Sequence, residues 1–320
     1  MKNRLISFVI PCYCSAGTIE AVITEIEQNM PLLVQYTWEI ILVNDGSPDQ
    51  GATWAKICAL SADHEEVRGY NLSRNFGQHA ALMAGLKQSR GDFVVCLDDD
   101  GQTPADEASK LLYALEKGAD VAYARYQTKQ HSMFRNFGTA MNEWMASALL
   151  GKPRELYVSS YFAARRFVVD EMLRYTGAYP YVIGLVLRAT RNIVNVDVKH
   201  RSRQVGRSGY TLGKLLALWI NGFTAFSVKP LRIATLMGAV FALMGFAYGV
   251  YTIIKKLLHP ELPIVGFSAL MTAVVFMGGM MMLMIGLVGE YIGRIYISQN
   301  ESPQYVIRDT TGESDGIAGS

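Results

Sequence analysis

The chain has 320 residues, with 30 Lys plus Arg against 28 Asp plus Glu, and half of its residues are hydrophobic. A balance this even leaves no basic footprint for a phosphate backbone, so nucleic acid is excluded as the main partner. The length suffices for one large domain and a further segment.

In chain order, the opening "MKNRLISFVIP" carries two basic residues and a short apolar run with no small-residue cleavage site after it, so it is read as a first strand rather than a signal peptide. Strands are predicted at 6–13, 38–45, 67–73, 92–98 and 120–126, with amphipathic helical patterns between them. Alternation of this kind specifies an α/β fold, a mostly parallel, Rossmann-like sheet with helices on both faces. Ligands bind such sheets beyond the carboxyl ends of the strands, and polar residues gather at those ends here: Tyr13, Asn44, Asp45, Arg74, Asn75 and the run Asp98, Asp99, Asp100. Neither GxGxxG nor GxxxxGK[ST] follows any strand, so bound phosphates need another means of neutralisation. The four cysteines lie in the first hundred residues; Cys12 and Cys14 have no second pair or histidine to complete a metal site, and buried thiols in a reducing compartment account for them.

Beyond 126 a helix is predicted at 134–149, a strand at 159–166, a further helical stretch, and a strand at 192–200. Residues 209–229 have large apolar residues at helical spacing with few charges, the pattern of a helix lying in a membrane interface. No charge interrupts Ile233 to Ile254 or Leu262 to Gly289, and each run exceeds the roughly 20 apolar residues that cross a bilayer as helix. The expected organisation is therefore a domain over 1–208, the interfacial helix 209–229, a two-helix membrane domain over 230–296 with spans at about 232–256 and 263–290, and a partly disordered tail over 297–320. Lys214, Lys229, Arg232, Arg294 and Arg308 flank the spans on the side of the N-terminal domain, against Lys255, Lys256 and His259 in the connecting loop. That bias predicts a multi-pass protein of the inner membrane with its N-terminal domain in the cytoplasm.

The stretch "VVCLDDDGQTP" sets three carboxylates directly after a buried strand. In an extended chain Asp98 and Asp100 face one way and Asp99 the other, with Gln102 continuing the first direction, so a DxD pair can point at a common divalent ion. The competing reading is a solvated turn capping the next helix, with Thr103 as the cap.

The segments "VIPCY", "ILVNDGSPD", "SRNFGQHAALMAG", "LDDDGQTP", "RQVGRSGY" and "GLVGEYIGRIY" follow one another in this order. Over roughly residues 5–308 the chain thereby resembles the family 2 glycosyltransferases that load a sugar onto a polyprenyl phosphate, in the branch with two C-terminal spans. The resemblance implies a GT-A fold, a UDP- or GDP-linked sugar donor, a Mg2+ or Mn2+ ion, a polyprenyl phosphate acceptor in membrane lipid, inversion at the anomeric carbon and a homo-oligomer, a tetramer. It implies nucleotide base and ribose contacts at Pro11, Tyr13 and Asp45, and metal and diphosphate contacts at Asp98, Asp100 and Gln102. Arg125 and Arg135 match basic residues near the transferring phosphates, and Arg203, Ser208 and Tyr210 match the loop that closes over the donor. Arg74 and Asn75, at the ligand end of the third strand, are further substrate-binding candidates, whereas His79 is assigned to helix packing. The chain departs from the family at Cys14 and Ser15, where Asn-Glu is usual, at Asn44, where Asp is usual, and at Gly209, where Lys is common.

A polysaccharide-extruding synthase would need more spans and a QxxRW-type motif, which is missing. A membrane module that senses a nucleotide-sugar without transferring it would not need the paired aspartates.

Overall fold

Strand β1, Arg4–Cys12, is buried from Ile6 through Ile10 because both of its faces are covered, which is why it reads as one apolar run instead of an alternating one. Around it the computed structural model describes residues 4–126, 153, 155–199, 229–259, 266–299 and 303–312. These fall into two units, Met1–Thr211 with Glu301–Ser320, and Leu212–Asn300.

In the first unit β1 is followed by helix α1 (Ile19–Asn29), β2 (Tyr36–Asn44), α2 (Ala52–Asp63), β3 (Val67–Leu72), α3 (Gln78–Gln88), β4 (Phe93–Cys96), α4 (Ala108–Glu116), β5 (Val121–Tyr126), β6 (Phe162–Arg165), α5 (Arg166–Leu173), α6 (Val182–Ala189), β7 (Ile193–Val198) and, after the second unit, β8 (Ile307–Thr310). They build one eight-stranded sheet in the order β7-β5-β6-β4-β1-β2-β3-β8. Pairings β1–β2, β1–β4, β2–β3 and β5–β7 are parallel, and β4–β6, β5–β6 and β3–β8 are antiparallel. The sheet is thus mixed but mostly parallel, and the seven strands expected from the sequence are all present. One arrangement differs from simple succession: β6 inserts antiparallel between β4 and β5, so its preceding loop arrives at the carboxyl end of β4.

One sheet face packs Phe8, Ile10, Ile40, Leu42 and Val95 against α1, α2 and α4. Helix α1 buries Ile19, Val22, Ile23 and Ile26, the three- and four-residue spacing that puts one stripe on the sheet. On the opposite face α3 is buried along Ala80–Leu86, and its small residues permit close approach: a Cβ on Gly85 would stand 2.4 Å from Val9 Cγ1. A tight helix here fixes the position of its own N-terminal residues, Gln78 and His79, at the carboxyl edge of the sheet.

Strand β8 lies within the segment 297–320 that was expected to be a partly disordered tail. Residues 307–310 pair with the otherwise open edge of β3, aligning Asn71 with Asp309. Sequence polarity hid this strand, yet its polar side chains have specific partners: Gly69 N donates to Thr311 Oγ1 at 2.7 Å, and Asn71 Nδ2 donates to Asp309 at 2.6 Å. The chain of hydrogen bonds continues from Asn44 Nδ2 to Asn71 Oδ1 at 2.8 Å, from Ser47 Oγ to Asn44 Oδ1 at 2.6 Å, and from Cys14 N to Ser47 Oγ at 3.0 Å. Asn71→Ala would leave Asn44 and Asp309 each short of a partner. Removing a shared, buried hydrogen-bond partner costs about 1–3 kcal/mol, so the melting temperature is expected to fall by several degrees, with earlier hydrogen exchange in β8 than in β1. An unchanged melting temperature would show that the chain contributes nothing.

The second unit holds two long helices, α7 (Lys229–Leu258) and α8 (Phe267–Gln299). Ala234–Lys255 and Phe276–Gly293 are long and apolar enough to cross a membrane, with mean hydropathies of 1.8 and 1.5. Leu243, Phe246, Leu283 and Ile285 are exposed along them, which suits lipid and not water. The two helices meet at Phe241 and Phe276, whose rings lie edge to face at 5.8 Å. Helix α8 continues past 290, where the expected span ends. The helix expected at 134–149 lies outside the described residues, as does the interfacial helix expected at 209–229 except for Lys229, which opens α7.

Candidate active site

The carboxyl ends of β1, β2 and β4 and the loops after β3 and before β6 surround an open cleft of about 590 Å³. Pro11, Tyr13, Asp45, Asn75, Gln78, Asp98, Asp99, Asp100 and Ser160 line it. The sequence placed most of these at strand ends, and the sheet brings them together.

The aspartate run does not continue β4. The strand ends at Cys96, and the chain turns through Asp99, Asp100 and Gly101, the last with φ +73°. Strict alternation is therefore replaced by a turn, and all three carboxylates reach the cleft. Asp98 accepts from Gln78 Nε2 at 3.0 Å and from Ser160 Oγ, Asp99 accepts from Tyr13 N at 2.9 Å, and Asp100 accepts from Gln102 N at 3.0 Å. Burial is the largest influence on Asp98; with the neighbouring charges of Asp100 and Asp99 it pushes the carboxyl up to about 6 against the lowering effect of its hydrogen bonds. Burial likewise raises Asp99. The shifts come chiefly from burial, to which the neighbouring carboxylates add, so the run differs from a freely solvated turn.

This donor set suits a hard divalent cation. Among the described residues no group of three or more His, Cys, Asp or Glu side chains could enclose an ion unaided. Mg2+ and similar ions are ordinarily held by one or two carboxylates together with water and substrate phosphates. Asp98 and Asp100 fit that pattern, and Gln78 and Ser160 fix the Asp98 carboxylate as outer partners fix a metal ligand. Gln102 participates through its backbone N–H, and its side chain is not among those lining the cleft.

Asp45 lines the cleft and also ties two loops together. Its carboxylate accepts from Phe76 N at 2.8 Å and Gly77 N at 2.9 Å, tying the end of β2 to the loop that opens α3. Burial raises its pKa while those two bonds lower it. Tyr13 is half exposed at the mouth of the cleft, and Asn75 lines it. Arg74 stacks its guanidinium 4.2 Å from the Phe76 ring, outside the lining residues. Arg125 is exposed on β5 and held by Asp197, with Nε–Oδ1 2.6 Å and NH2–Oδ2 3.1 Å. The structure therefore does not bring Arg125 to the cleft, since an acidic neighbour on β7 satisfies it. Arg135, Arg203, Ser208 and Tyr210 lie outside the described residues.

Sequence reasoning missed Gln78 and Ser160. Gln78 follows Gly77 directly at the start of α3 and had a detectable signal in "FGQH". Ser160 had none, because its place follows from antiparallel register: Cys96 faces Phe162, so two residues on from Cys96 and two back from Phe162, Asp98 meets Ser160.

The comparisons with known proteins agree with this geometry. The model of Glycosyl transferase family 2 matches residues 7–173, and that of the GtrB C-terminal hairpin matches residues 229–295. Over 310 residues the chain is 33% identical to undecaprenyl-phosphate 4-deoxy-4-formamido-L-arabinose transferase of Yersinia pestis, covering 97% of this chain and 94% of that protein. The protein of the same name from Yersinia pseudotuberculosis matches to the same extent, 33% over 310 residues. Among solved structures, glucosyl-3-phosphoglycerate synthase from Mycobacterium tuberculosis in complex with Mn2+ and uridine-diphosphate-glucose aligns with a TM-score of 0.53 at 21% identity, covering 70% of this chain and 79% of that one. That likeness is one of fold, the GT-A arrangement of a nucleotide-binding sheet. A family model spanning more than half of the residues, and relatives matched along nearly the whole length, place a sugar-transfer domain around the aspartate cleft: the chain belongs to glycosyltransferase family 2.

Proposed function

We propose that the protein transfers a sugar from a UDP-sugar to the phosphate of a membrane-borne polyprenol, with inversion at the anomeric carbon. The observation that carries this reading is the convergence of Asp98, Asp99 and Asp100 on one cleft, with Asp98 half-buried and pinned by Gln78 and Ser160. Support for the acceptor comes from the name of the Yersinia relatives, and for the uridine nucleotide and the cation from the Mn2+ and uridine-diphosphate-glucose complex of the mycobacterial neighbour. Two apolar helices would keep the enzyme at the bilayer, where a lipid phosphate arrives by lateral diffusion. We place the enzyme in the inner membrane with its sugar-transfer domain in the cytoplasm, as a tetramer.

Asp98 and Asp100 would hold the Mg2+ or Mn2+ ion, which supplies Lewis-acid stabilisation to the leaving diphosphate. A phosphate monoester carries a charge of about −1.5 to −2 at neutral pH, so its oxygen attacks without a protein base. The chain's own task is orientation and charge placement. Tyr13 and Asn75 position the nucleotide along the cleft, Asp45 holds the loop that carries Asn75, and Gln78 and Ser160 keep Asp98 aimed. With Arg125 engaged by Asp197, the gathering of phosphates falls to Arg135 and Arg203, and closure over the donor to Ser208 and Tyr210.

The test is transfer of radiolabelled sugar from UDP- and GDP-linked donors to undecaprenyl phosphate by the purified protein in lipid nanodiscs. Labelled lipid from a UDP-sugar supports the reading. Nucleotide binding without lipid labelling across the whole panel would refute transfer and favour a sensing module.

A further inference from the structure

Asp309 of β8 ends a line of hydrogen bonds that begins beside the cleft. Cys14 N donates to Ser47 Oγ, Ser47 Oγ to Asn44 Oδ1, Asn44 Nδ2 to Asn71 Oδ1 and Asn71 Nδ2 to Asp309 Oδ2, at 3.0, 2.6, 2.8 and 2.6 Å. Every donor points the same way, and the carboxylate is the reason. It accepts but cannot donate, so Asn71 must turn its Nδ2 to Asp309, which leaves its Oδ1 for Asn44. Asn44 then gives its Nδ2 to Asn71 and its Oδ1 to the Ser47 hydroxyl, and Ser47 keeps a lone pair for the Cys14 N–H. Arg308 and Asn71 both donate to Asp309 and hold its carboxyl below the usual range, so it is ionised at neutral pH.

The far end of the line needs holding. Cys14 has φ +55°, a left-handed conformation strained for a residue with a Cβ, and its side chain is exposed, so packing does little to keep it there. Three consecutive amides do: Tyr13 N donates to Asp99 at 2.9 Å, Cys14 N to Ser47 Oγ at 3.0 Å and Ser15 N to Thr53 Oγ1 at 3.0 Å. The turn they pin carries Tyr13, half exposed in the cleft. Two departures of the sequence from its family meet here. An aspartate at 44 would have no Nδ2 to give Asn71, and an asparagine at 14 tolerates a positive φ more readily than cysteine does. The line of bonds therefore belongs to this chain's own residues.

We propose that Asp309 is a positioning residue for sugar transfer: through Asn71, Asn44 and Ser47 it fixes the Tyr13–Cys14 turn, and with it the seat of the nucleotide. The inference rests on the reading of the cleft as a nucleotide-sugar site. Asp309 itself touches no substrate; it sets which way two buried amides face. Without it Asn71 and Asn44 can reverse together, and Asn44 Nδ2 then competes with Cys14 N–H for the lone pairs of Ser47 Oγ. A nucleotide contact made equally in the ground and transition states affects KM and leaves kcat unchanged.

The test is calorimetric binding of UDP with MgCl2 to the full chain in nanodiscs, together with transfer from the UDP-sugar that labels undecaprenyl phosphate. Asp309→Ala and Ser47→Ala are each expected to weaken UDP about tenfold, the weight of one strong hydrogen bond, and to raise the donor KM by the same factor at unchanged kcat. The double variant should bind UDP no more weakly than the weaker single, because one line is broken twice. Thr311→Val is the control: it removes the bonds that Thr311 Oγ1 receives from Gly69 N and Ser61 Oγ, loosening β8 outside the line. It should lower the melting temperature while UDP binds as in the wild type. Unchanged UDP binding in either single variant, losses that multiply to about a hundredfold in the double variant, or a loss in Thr311→Val as large as in Asp309→Ala would overturn the positioning role alone. Failure of UDP to bind the wild type would overturn the donor reading and this inference with it.

Discussion

Asp100→Ala is expected to lower sugar transfer by at least a thousandfold while the domain keeps its fold. Asp100 sits in a turn after the end of β4, outside the sheet and its core, so truncation removes little packing. What it removes is half of the carboxylate pair that would hold the cation, and electrostatic stabilisation of a leaving diphosphate is the main acceleration this site can offer. Asp98→Asn should be equally severe, with a diagnostic difference. Asn has the same shape, and burial already disfavours the charge at this position. The melting temperature of Asp98→Asn should therefore be held or raised as activity disappears. Chelation with EDTA should silence the wild type, and Mn2+ or Mg2+ should restore it. Full transfer after thorough chelation, or near-normal turnover by Asp100→Ala, would remove the cation from the mechanism.

How much of this was legible before any coordinates depended on the range of the interaction. The seven strands of 6–200 could be read because burial on both faces writes a local apolar run, and β1 and β2 show it most clearly. The aspartates were legible as a candidate cation site because three carboxylates follow a buried strand at the ligand-binding edge of the sheet, and all three residues line one cleft. Their geometry was not: Gly101 permits a turn that period-two reasoning cannot foresee, and it brings Asp99 in with the other two. The pairing of Arg125 with Asp197 could not be foreseen, because strand position says nothing about an acidic neighbour far along the chain. Ser160 and β8 share that cause. Each is placed by pairing with a distant strand, and hydroxyls, amides and a lone carboxylate leave no periodic trace of such pairing. His79 was read as a packed helix residue, and its ring does pack against Tyr181.

Gly46→Ala should disable the enzyme from outside the aspartate cluster, and it separates steric from conformational causes. Gly46 has φ +57°, and a Cβ there would lie 2.3 Å from the Arg74 carbonyl carbon and 2.4 Å from Asn75 N. Those atoms are backbone and have no rotamer into which to retreat. The loops after β2 and β3 must therefore part, and the same two loops are joined by the bonds from Phe76 N and Gly77 N to Asp45. Separating them displaces Asn75 and the start of α3, and through Gln78 it disturbs Asp98. A stability loss of about 3–4 kcal/mol is expected, the range reserved for strain of this kind, lowering the melting temperature by about 10 °C. Transfer should fall at least a hundredfold at a temperature where the variant is still folded. Gly51→Ala supplies the comparison: its φ of +85° carries the conformational penalty of about 1–2 kcal/mol, but nothing lies within 4 Å of its Cβ. That variant should lose a few degrees of stability and retain transfer. Comparable losses of activity in both would mean that backbone conformation alone governs the cleft; loss confined to Gly46→Ala would show that the close approach of two strand-end loops, held by Asp45, sets the geometry in which Asp98 acts.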